Sequence, residues 1–320
     1  MTMKDIIAPI EKNLILAELT PERLLRKTNK ANNELYVIDA HNAPNIMLEI
    51  GRLREEAFRY AGAGTGKEMD IDEFDTMESP YKQLIVWNPE KEEIMGGYRF
   101  IHGKDVPRSE DGGLLFSSTH LFYYSKLFVE EYLPYTIELG RSFVTVGYQS
   151  SKAGSKALFA MDNLWDGLGA LIIEYPGLKY FFGKVTMYPN FGIEGRNMIL
   201  YFLHRHFPDP ERLIYPRKSL KTDMDLAALS KIFTGCDFKE NYKILNAHVR
   251  NLSRNIPPLV NAYMNLSPTM RVFGTTVHEK FGSVEETGIM INVGDIFEDK
   301  RDRHIETYIE DLKVRGIRLD

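Results

Sequence analysis

Residues 135–144 read Tyr135-Thr-Ile-Glu-Leu-Gly-Arg-Ser-Phe-Val144, a short β-branched and apolar run that carries two opposite charges. Ile137, Leu139, Phe143 and Val144 predict a core strand. Glu138 and Arg141 sit inside it, with Gly140 between them, and an unpaired charge in a core is costly. Side chains three apart on a strand point to opposite faces, so a bulge at Gly140 is needed to bring the pair to one face. The run is therefore a candidate site as well as a candidate strand.

Working outward, Glu34-Leu-Tyr-Val-Ile-Asp39 predicts a strand. Ile46, Met47, Ile50, Leu53, Ala57 and Phe58 recur at helical spacing over Asn42 to Tyr60. Tyr81-Lys-Gln-Leu-Ile-Val-Trp87, a turn at Asn88-Pro-Glu-Lys91, and Glu93-Ile-Met-Gly-Gly-Tyr-Arg-Phe-Ile101 form a predicted β-hairpin with Arg99 inside its second strand. After the opening strand come a helix from about Lys156 to Glu174, a strand over Leu178 to Met187 and a helix over Glu194 to His206. Beyond Pro208, helices are predicted over Asp223 to Phe233 and Lys239 to Arg254, and strands over Met270 to Val277 and Thr287 to Val293. A charged tail from Asp295 reads as an exposed helix. The fold class is α/β, a mixed sheet flanked by helices with a C-terminal helical and strand extension. The expected organisation is an N-terminal arm over 1–34, a core over 35–207, and an extension over 208–320 packed on the core.

The chain has 320 residues, 43% of them hydrophobic, enough for a sizeable core. A formal charge of −5 gives no global basic field, so nucleic acid is not an expected partner. One cysteine, Cys236, makes neither an internal disulfide nor a cysteine-rich metal site, which places the chain in a reducing, cytoplasmic compartment. No segment has about 18 uncharged apolar residues, so neither signal peptide nor membrane span is expected, while peripheral membrane contact stays open.

Four pieces in order carry a resemblance: Leu53-Arg-Glu-Glu-Ala-Phe58, Asp72-Glu-Phe-Asp75, Gly97-Tyr-Arg-Phe-Ile101 and Glu138-Leu-Gly-Arg-Ser-Phe-Val144. Together they resemble the ornithine-lipid and glycine-lipid type N-acyltransferases and the related acyl-homoserine-lactone autoinducer synthases, within the GNAT (Gcn5-related) superfamily. Leu252 to Thr275 extends the likeness toward the lipid branch. The resemblance implies transfer of a 3-hydroxyacyl chain from acyl carrier protein to the amine of an amino acid, glycine before ornithine, in aminolipid synthesis. By the same resemblance Glu138, Arg141 and Arg99 are catalytic, and Arg54, Phe58, Asp72 and Asp75 line the substrate site. Phe143, Trp165 and Phe182 are further candidates for an acyl tunnel, although core packing accounts for most such residues.

The thioester on acyl carrier protein is the implied co-substrate, with no other cofactor and no metal. Superfamily members that use acetyl-CoA carry Gln/Arg-x-x-Gly-x-Gly/Ala before the long helix. Gln149-Ser-Ser-Lys-Ala-Gly-Ser-Lys156 departs from that pattern, so acetyl-CoA is disfavoured. Lys152 and Lys156 are the candidate docking residues for the acidic carrier protein. An autoinducer synthase, or a non-catalytic acyl-carrier or lipid-binding module, is the alternative reading. Three weaker signals compete. Ala61-Gly-Ala-Gly-Thr-Gly66 hints at a phosphate cradle but follows a helix. His204 and Asp209 have the spacing of glycerolipid O-acyltransferases but are broken by Pro208. Cys236 lacks a patterned partner.

Overall fold

The computed structural model describes residues 3–149 and 155–317, with the side chains of residues 155–158 outside the description. The first elements are α1 (Lys12–Glu18), β1 (Leu24–Lys27), β2 (Glu34–Ile38), α2 (Pro44–Ala61), α3 (Glu73–Thr76), β3 (Lys82–Asn88) and β4 (Glu93–His102). They are followed by β5 (Phe122–Tyr124), β6 (Thr136–Val144), α4 (Val146–Gln149), α5 (Ser155–Glu174), β7 (Tyr180–Met187), α6 (Ile193–His206) and β8 (Ile214–Pro216). Then come α7 (Leu226–Ile232), α8 (Phe238–Asn251), α9 (Pro258–Met264), β9 (Arg271–His278), β10 (Val284–Asn292), α10 (Glu298–Arg301) and α11 (Thr307–Val314). The fold is α/β as expected, and most elements fall within a few residues of their predicted bounds. No helix among the described residues is long and apolar enough to cross a membrane.

Two compact units are each assembled from separated stretches of chain. One comprises Met1–Ser117, Pro134–Lys179 and Phe297–Asp320, the other Ser118–Leu133 and Tyr180–Ile296. In the first, five strands run in the order β1-β2-β3-β4-β6, each antiparallel to its neighbour. Gln83 pairs with Arg99, and Arg99 with Gly140, so these positions share one sheet face. Gln83 receives a hydrogen bond from Arg54 of α2 on that face, whereas the next residue, Leu84, lies where Gly167 of α5 approaches. The two helices therefore cover opposite faces. Period-2 alternation sends the polar positions toward α2 and the apolar ones toward α5.

The N-terminal arm is bound to α2. Pro44 starts that helix without a side-chain cap from its own N-cap residue, and Glu18 supplies the anion instead, accepting from the Asn45 and Ile46 amides at 3.0 and 2.8 Å. Ile10 donates its amide to Glu49 at 3.0 Å, which ties the arm to the helix a second time.

The charged tail corrects the expectation of an exposed helix. In the same unit, α10, a π-turn at Asp302–Glu306 and α11 bury His304, Ile305, Tyr308 and Leu312. Tyr308 and Leu312 pack on Ala170 of α5, and the His304 ring is held by Asp166 at 2.7 Å. A Cβ at Gly169 would overlap the His304 carbonyl. Gly169→Ala should lower stability, because overpacking against backbone costs about 1–3 kcal/mol or more and outweighs the helix-propensity gain of about 1 kcal/mol. Thermal melts of the two proteins check this.

In the second unit, β7, β10 and β9 form an antiparallel sheet in that order, and β5 pairs with β8. Its core is aromatic: Phe182 packs against Phe273 and Phe128, and Gly288 leaves room for Phe122.

Candidate active site

The site grows from the irregularity in β6. Gly140 pairs with Arg99, but the next pair is Phe143 with Gly97, so β6 carries one extra residue between them. Arg141 takes the extra position with φ at +47°, a left-handed conformation that costs a non-glycine residue about 1–2 kcal/mol. The bulge expected beside Gly140 is present, but the arginine itself adopts the strained conformation. It turns the Arg141 side chain toward Asp70 (2.9 Å) and Asp72 (3.6 Å), into the same cluster as Arg99.

Three arginines and three aspartates interlock there. Arg99 Nη1 donates to Asp72 at 2.7 Å and to Asp75 at 3.3 Å. Arg54 Nη1 meets Asp75 at 3.3 Å and its Nη2 donates to Gln83, which in turn donates to Asp75 at 3.0 Å. Asp72 and Asp75 also cap α3 reciprocally, each accepting from a backbone amide of the turn. The acidic loop is thus a short capped helix whose carboxylates are aimed at the sheet.

Glu138 lies beside this network, 1% exposed. Its Oε2 accepts from the Tyr81 hydroxyl and from Ser117 Oγ at 3.1 Å, and Tyr81 Oη accepts from the Ser117 amide at 2.8 Å. The Tyr81 ring lies under the Arg99 guanidinium, with 5.1 Å from centroid to Cζ, so one aromatic ring links the two groups. The face of the sheet that Glu138 occupies is therefore the one shared with Arg99 and the acidic loop.

Burial and charge act in opposition throughout. Burial drives the Tyr81 hydroxyl well above its ordinary value, and Glu138 pushes it the same way, so Tyr81 stays protonated and donates. Burial also works to raise Asp72, but Arg99, Arg141 and Arg54 outweigh it and hold this carboxyl well below the usual range. Burial opposes the charge on Arg99, yet Asp75 and Asp72 prevail and raise it. For Arg54, full burial prevails over Asp75 and lowers it; for Asp70, burial prevails over Arg141 and raises it.

The site residues named from sequence are separated by depth. Arg54 (0% exposed) and Asp75 are enclosed and bond to each other and to Gln83, Asp75 also to Arg99, while Arg54 Nε finds no hydrogen-bond partner among the described residues. The side chains of Asp72 and Arg141 keep 19% and 14% of their exposure and form the accessible edge of the cluster. Phe58, one helical turn beyond Arg54, is buried in the core. Lys152 and the side chain of Lys156 lie outside the described residues.

Sequence reading overlooked Asp70, Tyr81, Gln83 and Ser117. Tyr81 and Gln83 left a signal, polar groups two apart at the start of an apolar strand. Ser117 left none.

The competing signals have local explanations. The 61–66 loop wraps the buried Glu55 carboxylate, which accepts from the Thr65 and Gly66 amides at 3.0 and 2.8 Å, so the amides of a would-be phosphate cradle already hold an internal anion. Asp209 accepts from the Leu213 amide at 2.6 Å and meets Arg271 at 3.4 Å, so its carboxylate is engaged away from His204. Cys236 is exposed.

Residues 53–158 match the acetyltransferase (GNAT) domain family. Over 308 residues, 96% of the chain, the sequence is 61% identical to a glycine N(alpha)-acyltransferase of Bacteroides thetaiotaomicron, covering 91% of that protein. It is 60% identical over the same length to a glycine N(alpha)-acyltransferase of Phocaeicola vulgatus, covering 94% of it. Among solved structures, FeeM, an N-acyl amino acid synthase from uncultured soil microbes, aligns over 87% of this chain and 97% of its own, at 9% identity and a TM-score of 0.40. With such identity along nearly its whole length to two curated relatives, the chain belongs to the glycine N(alpha)-acyltransferase family and is an N-acyltransferase.

Proposed function

We propose that the enzyme moves a long 3-hydroxyacyl chain from acyl carrier protein to the amine of glycine, giving an N-acylglycine and the free carrier thiol. The observation that carries this reading is the buried Glu138 carboxylate, fixed by Tyr81 and Ser117 beside the Arg99–Asp72–Arg141 edge. The two relatives' names support glycine as the acceptor.

An amine attacks a thioester only when it is unprotonated. Glu138 takes the proton as nitrogen bonds to the carbonyl carbon. Backbone amides at the Arg141 bulge face the developing oxyanion, and collapse of the tetrahedral adduct breaks the C–S bond and releases the thiol. Arg141 and Arg99 clamp the acceptor carboxylate, and Asp72 meets its ammonium before deprotonation. Arg54 and Asp75 position Arg99 rather than touch substrate, and Phe58 packs behind them. Lys152 and Lys156 dock the acidic carrier protein. The reaction belongs in the cytoplasm at the membrane surface, where a long-chain product partitions.

Incubation of the purified enzyme with a 3-hydroxyacyl carrier protein and glycine, ornithine or S-adenosylmethionine tests the reading by thiol release and product mass. Glycine-dependent release of an N-acylglycine is the expected result. An ornithine product would move the acceptor, lactone formation would favour autoinducer synthesis, and no release with any acceptor would leave a binding module.

Tyr81→Phe removes one donor from Glu138 and the acceptor of the Ser117 amide. It should lower kcat about ten- to a hundredfold through misplacement of the base, with KM nearly unchanged. Steady-state kinetics in glycine, with a melting curve as control, checks this.

A further inference from the structure

In the second unit, His120 and His278 present their Nε2 atoms to each other at 3.1 Å, with ring centroids 4.8 Å apart. Two imidazoles on one tetrahedral zinc ion, at Zn–N distances of 2.0–2.1 Å, stand about 3.3 Å apart by the same measure. His278 ends β9, and its strand partner across the ladder is Val284 of β10. Glu286, two residues on, is therefore a diagonal neighbour on the same face. Its Oε1 lies 3.5 Å from His278 Nδ1. A carboxylate on the far ring nitrogen fixes the tautomer that leaves Nε2 free to bind, the usual outer partner of a metal-ligating histidine. Phe281 stacks on the His278 ring at 5.5 Å and holds its plane, and Glu286 is itself buried. His120 is exposed and His278 is buried, so the pair is reached from solvent on the His120 side.

We propose that His120 and His278 bind a divalent transition-metal ion of the zinc class through their Nε2 atoms, with Glu286 orienting His278. Among the described residues no group of three or more His, Cys, Asp or Glu forms a metal cage, so water fills the remaining positions. Two protein ligands with open positions make a site that takes up and releases its ion, unlike a closed structural zinc. Borderline imidazole ligands select zinc, copper, nickel or cobalt over magnesium and calcium. The binding is independent of the Glu138 chemistry, and it predicts metal uptake whether or not glycine is the acceptor.

The test uses the full-length protein stripped with chelator and titrated with Co(II) and with Zn(II). One equivalent of Co(II) should give the visible absorption of a tetrahedral nitrogen site, and calorimetry should give one equivalent of zinc. His120→Gln and His278→Gln should each weaken binding at least about a hundredfold, and Glu286→Gln about ten- to a hundredfold. In the unmodified protein, zinc should protect His120 and His278 from diethyl pyrocarbonate, read by peptide mass, which keeps the test valid if a variant fails to fold. No stoichiometric uptake would overturn the proposal and leave a plain histidine–histidine hydrogen bond. Uptake that survives both histidine substitutions, or zinc protection of histidines elsewhere, would overturn it equally.

Discussion

Glu138→Gln is expected to lower kcat by about a hundredfold to ten-thousandfold, the range a positioned general base contributes. Glutamine is isosteric, and its carbonyl oxygen still accepts from Tyr81 and Ser117, the two donors that hold Oε2. Folding should therefore be little changed, and the loss should fall on the chemical step with substrate affinity preserved. Thiol release under saturating glycine, at neutral pH, measures it against a circular-dichroism melt. Full turnover by the variant would remove Glu138 from the mechanism.

The second large effect is on stability. Arg54→Met leaves the enclosed Asp75 carboxylate with Arg99 and Gln83 but without its deepest cation. Breaking one side of a buried ion pair costs about 3–5 kcal/mol, and the remaining Arg99 contact places the expected loss near the lower end. The denaturation midpoint should fall accordingly, and activity should fall with it because Arg99 loses its fixed position. Arg54→Met combined with Asp75→Asn removes the stranded charge, so the double variant should recover part of the stability. If the two losses simply added, the proposed coupling through Asp75 would be wrong.

The same pair shows how far a linear reading reaches. Arg54 lies in Leu53-Arg-Glu-Glu-Ala-Phe58 and Asp75 in Asp72-Glu-Phe-Asp75, and their order along the chain marked both as site residues. Nothing in that order distinguishes a group that meets substrate from one that holds another arginine. Depth makes the difference, since Arg54 is fully buried while the Arg141 and Asp72 side chains keep an exposed edge. Asp70 and Ser117 illustrate the reverse case. Each reaches the site only because a loop returns to the sheet face, and neither carries a local pattern that announces it.

Packing also changed the reading of the tail. Its high charge predicts a solvated helix, and i,i+4 spacing was the visible feature. The decisive feature is the apolar and small surface of α5, where Gly169 and Ala170 admit the His304 backbone, Tyr308 and Leu312. A contact between residues more than a hundred positions apart leaves no trace in either segment alone.

What the sequence by itself determined was the strand at 135–144, the need for a bulge beside Gly140, the hairpin that carries Arg99, and the motif order that names the acyltransferase family. These depend on local periodicity and on short spacings, which the chain states directly. Only the tertiary structure decided that Arg141 takes the left-handed position, that Tyr81 and Ser117 hold Glu138, and that Arg54 and Asp75 stand behind Arg99. Those outcomes follow from which groups lose water and which opposite charges meet when distant segments close over one sheet face, and burial of that kind belongs to the folded chain as a whole.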